Sequence, residues 1–259
     1  MVLTISAHKG GVCKSTTAHI IGSAYSKHEK KVLMIDLDKQ FSLTGFCGVE
    51  KTNKYTSSDV LLEPECINEA IVSLNGFDVI PADNRLESTD IILMGKVGRE
   101  YQLKSALKFL KKKYDVVVID TPRSECQRGI NAQVAADYVI APITPEKTGL
   151  QSLGDEKDGY IVNILNTKKF YNPKMRFAGF LISKFHPQKN VDKAFLKLIQ
   201  EVVNKWGLHV FNTTIRDQSA PINESQSMNI DVVTYSPQSN VAQDYKNFLN
   251  EFDSKTFNF

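Results

Sequence analysis

The sequence is poor in cysteine pairs, in long apolar runs and in arginine. Its four cysteines, Cys13, Cys47, Cys66 and Cys126, are scattered through 259 residues with no CxxC spacing. That excludes a disulfide scaffold, a zinc ribbon and a cysteine-ligated cluster within one chain, and it fits a reduced cytoplasm. No apolar run approaches the roughly 18 residues that a membrane helix needs. The opening residues MVLTISAHKGGVCKS lack a basic leader with a cleavage site, so neither a signal peptide nor an anchor is expected. No Pro/Gly/Ser-rich stretch, charge block or repeat marks a seam, and 1–259 reads as a single domain. There is no room before the first glycine-rich loop for a helix-turn-helix domain, so sequence-specific operator binding is not expected. The 32 basic and 29 acidic residues leave a net charge of +3, too small to imply nucleic-acid binding from the total. Only six of the basic residues are arginine. An anion-binding surface built mainly of lysine would be made of flexible point charges, which hold phosphate backbones without reading sequence.

The chain does have short apolar runs alternating with helical patterns. Val2 to Ala7 reads as a strand, Thr16 to His28 as a helix, and Val32 to Ile35 as a strand ending in Asp36. Further strands are expected at Phe77 to Ile80, Val116 to Ile119, Tyr138 to Ile143 and Phe177 to Ile182. Helices are expected at Glu100 to Lys113 and Lys147 to Leu165. Such alternation implies right-handed crossovers and an α/β fold, a mostly parallel twisted sheet with helices on both faces. Ligands of such sheets sit at the carboxyl ends of the strands, where His8, Asp36, Asp38 and Asp120 all fall.

Gly10-Gly11-Val12-Cys13-Lys14-Ser15-Thr16 follows the first strand and opens the first helix, the context of a phosphate-binding loop. Successive N–H groups would wrap phosphates, Lys14 would lie across the β- and γ-phosphates, Ser15 would reach Mg²⁺, and Thr16 the α-phosphate. On this segment alone, a glycine turn capped by Ser/Thr is the alternative. Asp36, at the end of a buried strand, needs a cation or hydrogen-bond donors to offset its desolvation. Mg²⁺ with its waters would supply one, and capping of the next helix is the other explanation.

With Lys9 included, the run Lys9 to Thr16 resembles the deviant Walker A motif KGGVGKST of the ParA/MinD family of ATPases, with Cys13 in place of glycine. Met34-Ile35-Asp36-Leu37-Asp38-Lys39-Gln40 resembles the family's DxDPQ motif, with Lys39 for proline. Tyr114 to Pro122 resembles its Walker B strand, YDxxxIDTPP, with Arg123 for the second proline. Ala136 to Glu146 resembles ADxVLxPxxPE. Thr214-Ile215-Arg216 and the stretch Asp231 to Tyr245 match the C-terminal pattern of the ParA branch. The resemblance spans nearly the whole chain and implies a deviant Walker A P-loop NTPase that uses ATP and Mg²⁺.

It further implies that Lys9 reaches the nucleotide of a partner subunit in an ATP-sandwiched homodimer and that Asp38 orients the attacking water. Ser15, Asp36 and Asp120 would hold the metal and its waters, and the loop from Lys9 to Thr16 the nucleotide. A small partition ATPase of this kind would be cytoplasmic and nucleoid-associated. It would bind double-stranded DNA non-specifically and be released by a ParB-like partner. Lys184, Lys189, Lys193, Lys197, Lys205 and Arg216 occupy the third of the chain where the family puts its DNA-facing surface, whereas Lys104, Lys108, Lys111, Lys112 and Lys113 read as a solvated helix end. Arg123 adds a cation near the γ-phosphate and reads either as a charge stabiliser or as a surface residue. A MinD-like membrane-cycling ATPase is the first rival, but Glu251 and Asp253 in the C-terminal segment would be repelled by anionic lipid, so no stable membrane association is expected. An iron–sulfur carrier would lean on Cys126 alone, which reads as a packed thiol. A nucleotide-independent adaptor is the rival of another class, with Cys13 in its favour and the retention of Lys9, Lys14, Ser15, Asp36, Asp38 and Asp120 against it. Cys13 is expected to sit at strained positive φ and, beside Lys14 at a helix N-terminus, to carry a thiol of lowered pKa.

Overall fold

The computed structural model describes residues 1–49, 54–123, 126–154 and 159–257. The chain runs β1 (Val2–Ile5), α1 (Lys14–Lys27), β2 (Val32–Asp36), α2 (Ser42–Phe46), α3 (Ser57–Leu62), β3 (Val72–Ser73) and β4 (Asp78–Ile80). It continues through α4 (Leu86–Met94), α5 (Gln102–Ala106), β5 (Val116–Asp120), α6 (Gln127–Ala135), β6 (Tyr138–Ile143), α7 (Lys147–Ser152) and α8 (Tyr160–Phe170). The last part comprises β7 (Arg176–Phe185), α9 (Asn190–Lys205), β8 (Val210–Arg216), α10 (Ser219–Ser227), α11 (Val232–Tyr235) and α12 (Asn240–Phe257). The strands form one eight-stranded sheet in the order β3-β4-β2-β5-β1-β6-β7-β8, parallel except for the β3–β4 pair.

Burial explains why these runs are strands. Every residue of β2 and β5 is buried, as a parallel strand covered on both faces requires. One core lies under α1 and α12 and holds Ile20, Ile21, Met34, Phe211, Tyr245 and Phe248. A second, with Leu33, Ile35, Leu61, Leu93 and Leu103, lies on the opposite face, and a third fills the β6–β8 end. Gly22 lets α1 approach β2 closely, because a Cβ there would run into the Met34 side chain.

Two expected helices are broken. Glu100 to Lys113 is a 3-10 turn at Arg99–Tyr101, then α5, then a second 3-10 turn at Leu107–Phe109. The Asn68 side chain ends it, donating to the Phe109 carbonyl at 2.8 Å and accepting the Lys111 N–H at 2.9 Å. Lys111 to Lys113 therefore lead into β5 rather than crowding a helix end, and Lys112 pairs with Asp78 at 2.7 Å. Likewise Lys147 to Leu165 is two helices. α7 stops at Ser152, followed by Gly154 in the left-handed region, and α8 starts at Tyr160. Residues 155–158 of that expected helix lie outside the described residues.

The C-terminal helix α12 is fastened to the sheet. Val241, Ala242, Tyr245, Phe248 and Phe252 are buried in the core. Glu251 accepts the N–H groups of Asn212 and Thr213, each at 2.8 Å, which covers the outer edge of β8, and these contacts help hold its carboxyl pKa down at about 2 although burial opposes them. Asp253 accepts from the Tyr25 hydroxyl at 2.5 Å. The acidic residues expected to repel lipid thus hold a helix whose apolar face is already occupied. No helix among the described residues is long and apolar enough to cross a membrane.

His19, buried in α1 with its ring 6.2 Å from that of Phe46, has its pKa lowered to about 4 by burial, against a rise from Asp231 and a further lowering from Lys27. The unfolded chain binds a proton near pH 6.5 that the folded chain refuses until about pH 4. Stability from this residue is therefore present above pH 6.5 and is lost as pH falls toward 4, amounting to about 2 kcal/mol by pH 5. Urea midpoints at pH 7 and pH 5, in the parent and in His19→Gln, check this. A variant with the parental pH slope contradicts it.

Candidate nucleotide site

The register of β1, β2 and β5 assembles the site. Asp36 and Asp120 end adjacent parallel strands at the same level, and Ile5, the last residue of β1, is level with Asp120 on its other side. The loop from His8 to Cys13 then turns over these carboxyl ends into α1. Gly11 has φ 77° and Cys13 φ 66°, so two left-handed residues curl the loop. Val12 is buried, and its carbonyl accepts the Ser183 hydroxyl at 3.1 Å, which ties the loop to β7. Gly10 lies under the Arg123 side chain, where a Cβ would come within 2.8 Å of Cδ.

A cleft of about 260 Å³ opens beside this loop. Gly11, Cys13, Lys14, Ser15, Thr16 and Asp38 line one side, and Ile215, Asp217, Asn223 and Gln226 the other, with Arg123 and Lys184 at its rim. Of the expected site residues, the structure brings Gly11 and Cys13 to Thr16 together with Asp38 at the cleft, with Asp36 and Asp120 buried beneath. Lys9 points elsewhere. Its ammonium is held by Glu146 Oε1 at 2.5 Å and the Thr148 hydroxyl at 2.5 Å, and Lys9 lowers the Glu146 pKa.

Asp120 has no accessible surface, and neither carboxylate oxygen has a hydrogen-bond donor in bonding geometry. Its pKa is pushed far up, first by burial and then by the Asp36 charge, while nearby Ser15 and Lys14 oppose the rise. A buried carboxylate left this way costs several kcal/mol unless a cation arrives. Asp36 is better satisfied, accepting from the Asp38 N–H at 3.0 Å, the Thr44 N–H at 2.9 Å and the Thr44 hydroxyl at 2.7 Å. Burial still raises its pKa to about 6, against those bonds. The capping explanation for Asp36 is therefore realised, through Thr44 in the first turn of α2, alongside its place at the site. Lys14 is buried and donates to the Lys9 carbonyl at 3.0 Å; burial lowers its pKa while Asp120 and Asp38 raise it. Asp38 is also buried, with Oδ1 accepting the Gln40 N–H at 3.1 Å. No group of three His, Cys, Asp or Glu side chains among the described residues forms a metal cage by itself. A hydroxyl and unpaired carboxylate oxygens suit a hard cation that keeps its waters and shares a phosphate ligand, so the residues fit Mg²⁺ with a nucleotide.

Four residues named from sequence take definite places, and the expectation for Cys13 is overturned. Arg123 is exposed, lies across Gly10 and lines the cleft, a place open to either reading of it. Lys184, counted among the basic residues of the C-terminal third, lines the same cleft at φ 55°. Arg216, read with it, is locked to Asp244 through Nε at 2.8 Å and Nη2 at 2.7 Å. The Cys13 thiol is shifted upward, because burial outweighs the opposing charges of Lys184 and Lys14 and Asp217 adds to the rise. Residues not found from sequence include Gln226, whose amide donates to the Thr16 hydroxyl at 3.1 Å, and Thr44. Gln226 lies outside the motifs, and Thr44 lies four positions beyond the end of the second.

Cys13 has the strained φ in the protein itself, so Cys13→Gly acts first on the fold. Relief of about 1–3 kcal/mol of strain is set against roughly 0.5–1 kcal/mol for the added freedom of glycine. A net gain of about 1 kcal/mol in unfolding free energy is expected by urea titration. ATP should also bind more tightly, since the side chain leaves the cleft, but by less than tenfold because the strain is present with and without ligand. No gain in either measurement contradicts the strain argument.

The fold and this constellation define a P-loop nucleotide-binding protein of the deviant Walker A type. A family model described as an AAA domain matches residues 1–176. The chain is 29% identical over 257 residues to the sporulation initiation inhibitor protein Soj of Bacillus subtilis, covering 96% of this chain and 97% of Soj. Among solved structures, it resembles one described as cobyrinic acid a,c-diamide synthase of Mycobacterium smegmatis with ADP and magnesium, at TM-score 0.78 and 28% identity over 96% of this chain and 92% of that one. A structure described as a plasmid partition protein of Borrelia burgdorferi with AMPPNP gives TM-score 0.77 and 27% identity over 98% of each chain. The chain belongs to the AAA domain family, in its ParA/Soj-type branch.

Proposed function

We propose that the protein is an ATP-dependent, dimerising partition ATPase that binds DNA non-specifically and segregates a plasmid or chromosome with a ParB-like partner. The observation that carries the enzymatic part is Asp120, a fully buried carboxylate without a donor, set beside Ser15 and Lys14 in a glycine-bearing loop. The partition part is supported by the names and near-complete coverage of the relatives.

Ser15 and Asp120, with Asp36 through water, would hold Mg²⁺, which when bound neutralises the β- and γ-phosphate oxygens. The loop N–H groups bind the phosphates, and Lys14 compensates charge at the γ-phosphate. Asp38 orients a water in line with the γ-phosphorus. The water oxygen bonds to phosphorus, the bridging P–O bond to ADP breaks, and the water's protons leave with phosphate and solvent. Lys9 of a second subunit would add charge stabilisation in the dimer. Exposed Lys189, Lys193, Lys197 and Lys205, on or beside α9, would supply phosphate-backbone contacts and place the protein on the nucleoid.

Anisotropy with two unrelated duplexes, run beside sedimentation with anionic vesicles, tests this. Binding to both duplexes should require ATP and magnesium and should weaken steeply with salt, and the vesicles should stay bare. Equal DNA binding without nucleotide, or ATP-dependent recruitment to the vesicles, contradicts it.

A further inference from the structure

We propose that the Asp90–Arg128 ion pair, with its guanidinium buried and its carboxylate half-buried, is the positioning element for Asp38. This rests on the reading of Asp38 as the residue that orients water. Arg128, in the first turn of α6, is 5% exposed. Its Nε donates to Asp90 Oδ2 at 2.8 Å, and its backbone N–H donates to Asp90 Oδ1 at 3.1 Å. Its Nη1 turns the other way and donates to the carbonyl of Leu37 at 2.9 Å.

Leu37 lies between the two aspartates of the second motif. Its N–H is already used by the Asp120 carbonyl at 3.0 Å, extending the sheet by one residue. The N–H of Asp38, on the same peptide plane as the Leu37 carbonyl, donates to Asp36 Oδ1 at 3.0 Å. The plane that launches the Asp38 side chain is therefore clamped at both edges, by Asp36 on one and Arg128 on the other. A peptide plane held at one edge can still rock, and one held at both fixes the Cα–Cβ direction of the next residue. Asp90 keeps the guanidinium in place from α4.

The neighbouring contact cannot do the same work. Lys39, where proline would stiffen this loop, pairs with Glu87 at 2.7 Å, but their side chains are 42% and 70% exposed. Such pairs contribute little and exchange readily with water. Burying a guanidinium and a carboxylate is costly, and apolar replacements of buried pairs are often no less stable. The position of the Leu37 carbonyl is the feature that only a long, forked cation reaching two acceptors supplies.

The experiment measures kcat, the ATP Kd and the urea midpoint for Arg128→Gln, Arg128→Lys, Asp90→Asn and Asp38→Ala. For Arg128→Gln, kcat should fall about tenfold or more with the ATP Kd within about twofold of the parent, since misplacement of a positioned group acts on the reaction rather than on binding. Arg128→Lys should recover part of kcat. Asp90→Asn, which retains the Leu37 contact, should fall between Arg128→Gln and the parent, and it carries the test if Arg128→Gln does not fold. The positioning role is overturned if Arg128→Gln, or Asp90→Asn in its stead, keeps the parental kcat while Asp38→Ala abolishes it. It is equally overturned if ATP affinity falls in step with kcat and both follow the urea midpoint. An Asp38→Ala protein that hydrolyses ATP at the parental rate overturns the reading of Asp38 itself, whatever Arg128→Gln does.

Discussion

Asp38→Ala is expected to bind ATP and dimerise as the parent does while losing about 10²–10⁴-fold in turnover, the range typical of a positioned group acting on a transferring proton. Asp38 is buried at the cleft, and its side chain accepts the Gln40 N–H. Its removal leaves the phosphate cradle from Gly10 to Thr16 intact, so ground-state binding survives while water loses its orienting acceptor. Because release from DNA would depend on hydrolysis, the variant should accumulate as an ATP-bound complex on DNA. Phosphate release under single-turnover conditions measures it, and a parental rate removes Asp38 from the mechanism.

Lys9→Ala is expected to bind ATP as a monomer and fail to form the nucleotide-dependent dimer. In the single chain, Lys9 is parked on Glu146 and Thr148. The Lys9 and Glu146 side chains are 33% and 52% exposed, so the pair is worth under about 1 kcal/mol and is readily given up for a triphosphate. Inside a subunit interface, the same ammonium would meet several phosphate charges in a drier setting, where each contact is stronger. Loss of that contact should therefore show in assembly much more than in fold stability. Light scattering with a slowly hydrolysed ATP analogue decides it, and a persistent dimer reduces Lys9 to a loop lysine.

Much of this was legible because the relevant physics is local. The β1–loop–α1 unit, the buried strands ending in Asp36 and Asp120, and the strain at Cys13 follow from runs of a few residues. What was not legible depends on contacts across the chain. The Glu100 to Lys113 pattern is broken by Asn68, some 40 positions earlier, and no local signal marks it. The Cys13 thiol was expected to feel chiefly Lys14 and a helix end. In the structure, Lys184 at the end of β7 and Asp217 just after β8 stand beside it, and burial outweighs charge. Lysines counted alike in sequence separate once their neighbours are known, Lys184 going to the cleft and Lys193 and Lys197 to the outer face of α9. Arg128 carried no motif at all. Its role emerges only when the end of β2 and the start of α6 are seen together.

This loop, cysteine included, is expected to hold ATP with Mg²⁺, and Asp120 to be satisfied only then. Titration calorimetry of ATP into the protein, with magnesium and again with EDTA, decides this when repeated on Asp120→Asn. Saturable binding to the parent, at least tenfold weaker in EDTA, is expected, together with an Asp120→Asn variant in which magnesium no longer matters. Absence of ATP binding to the parent, or binding equally tight with and without magnesium, contradicts it.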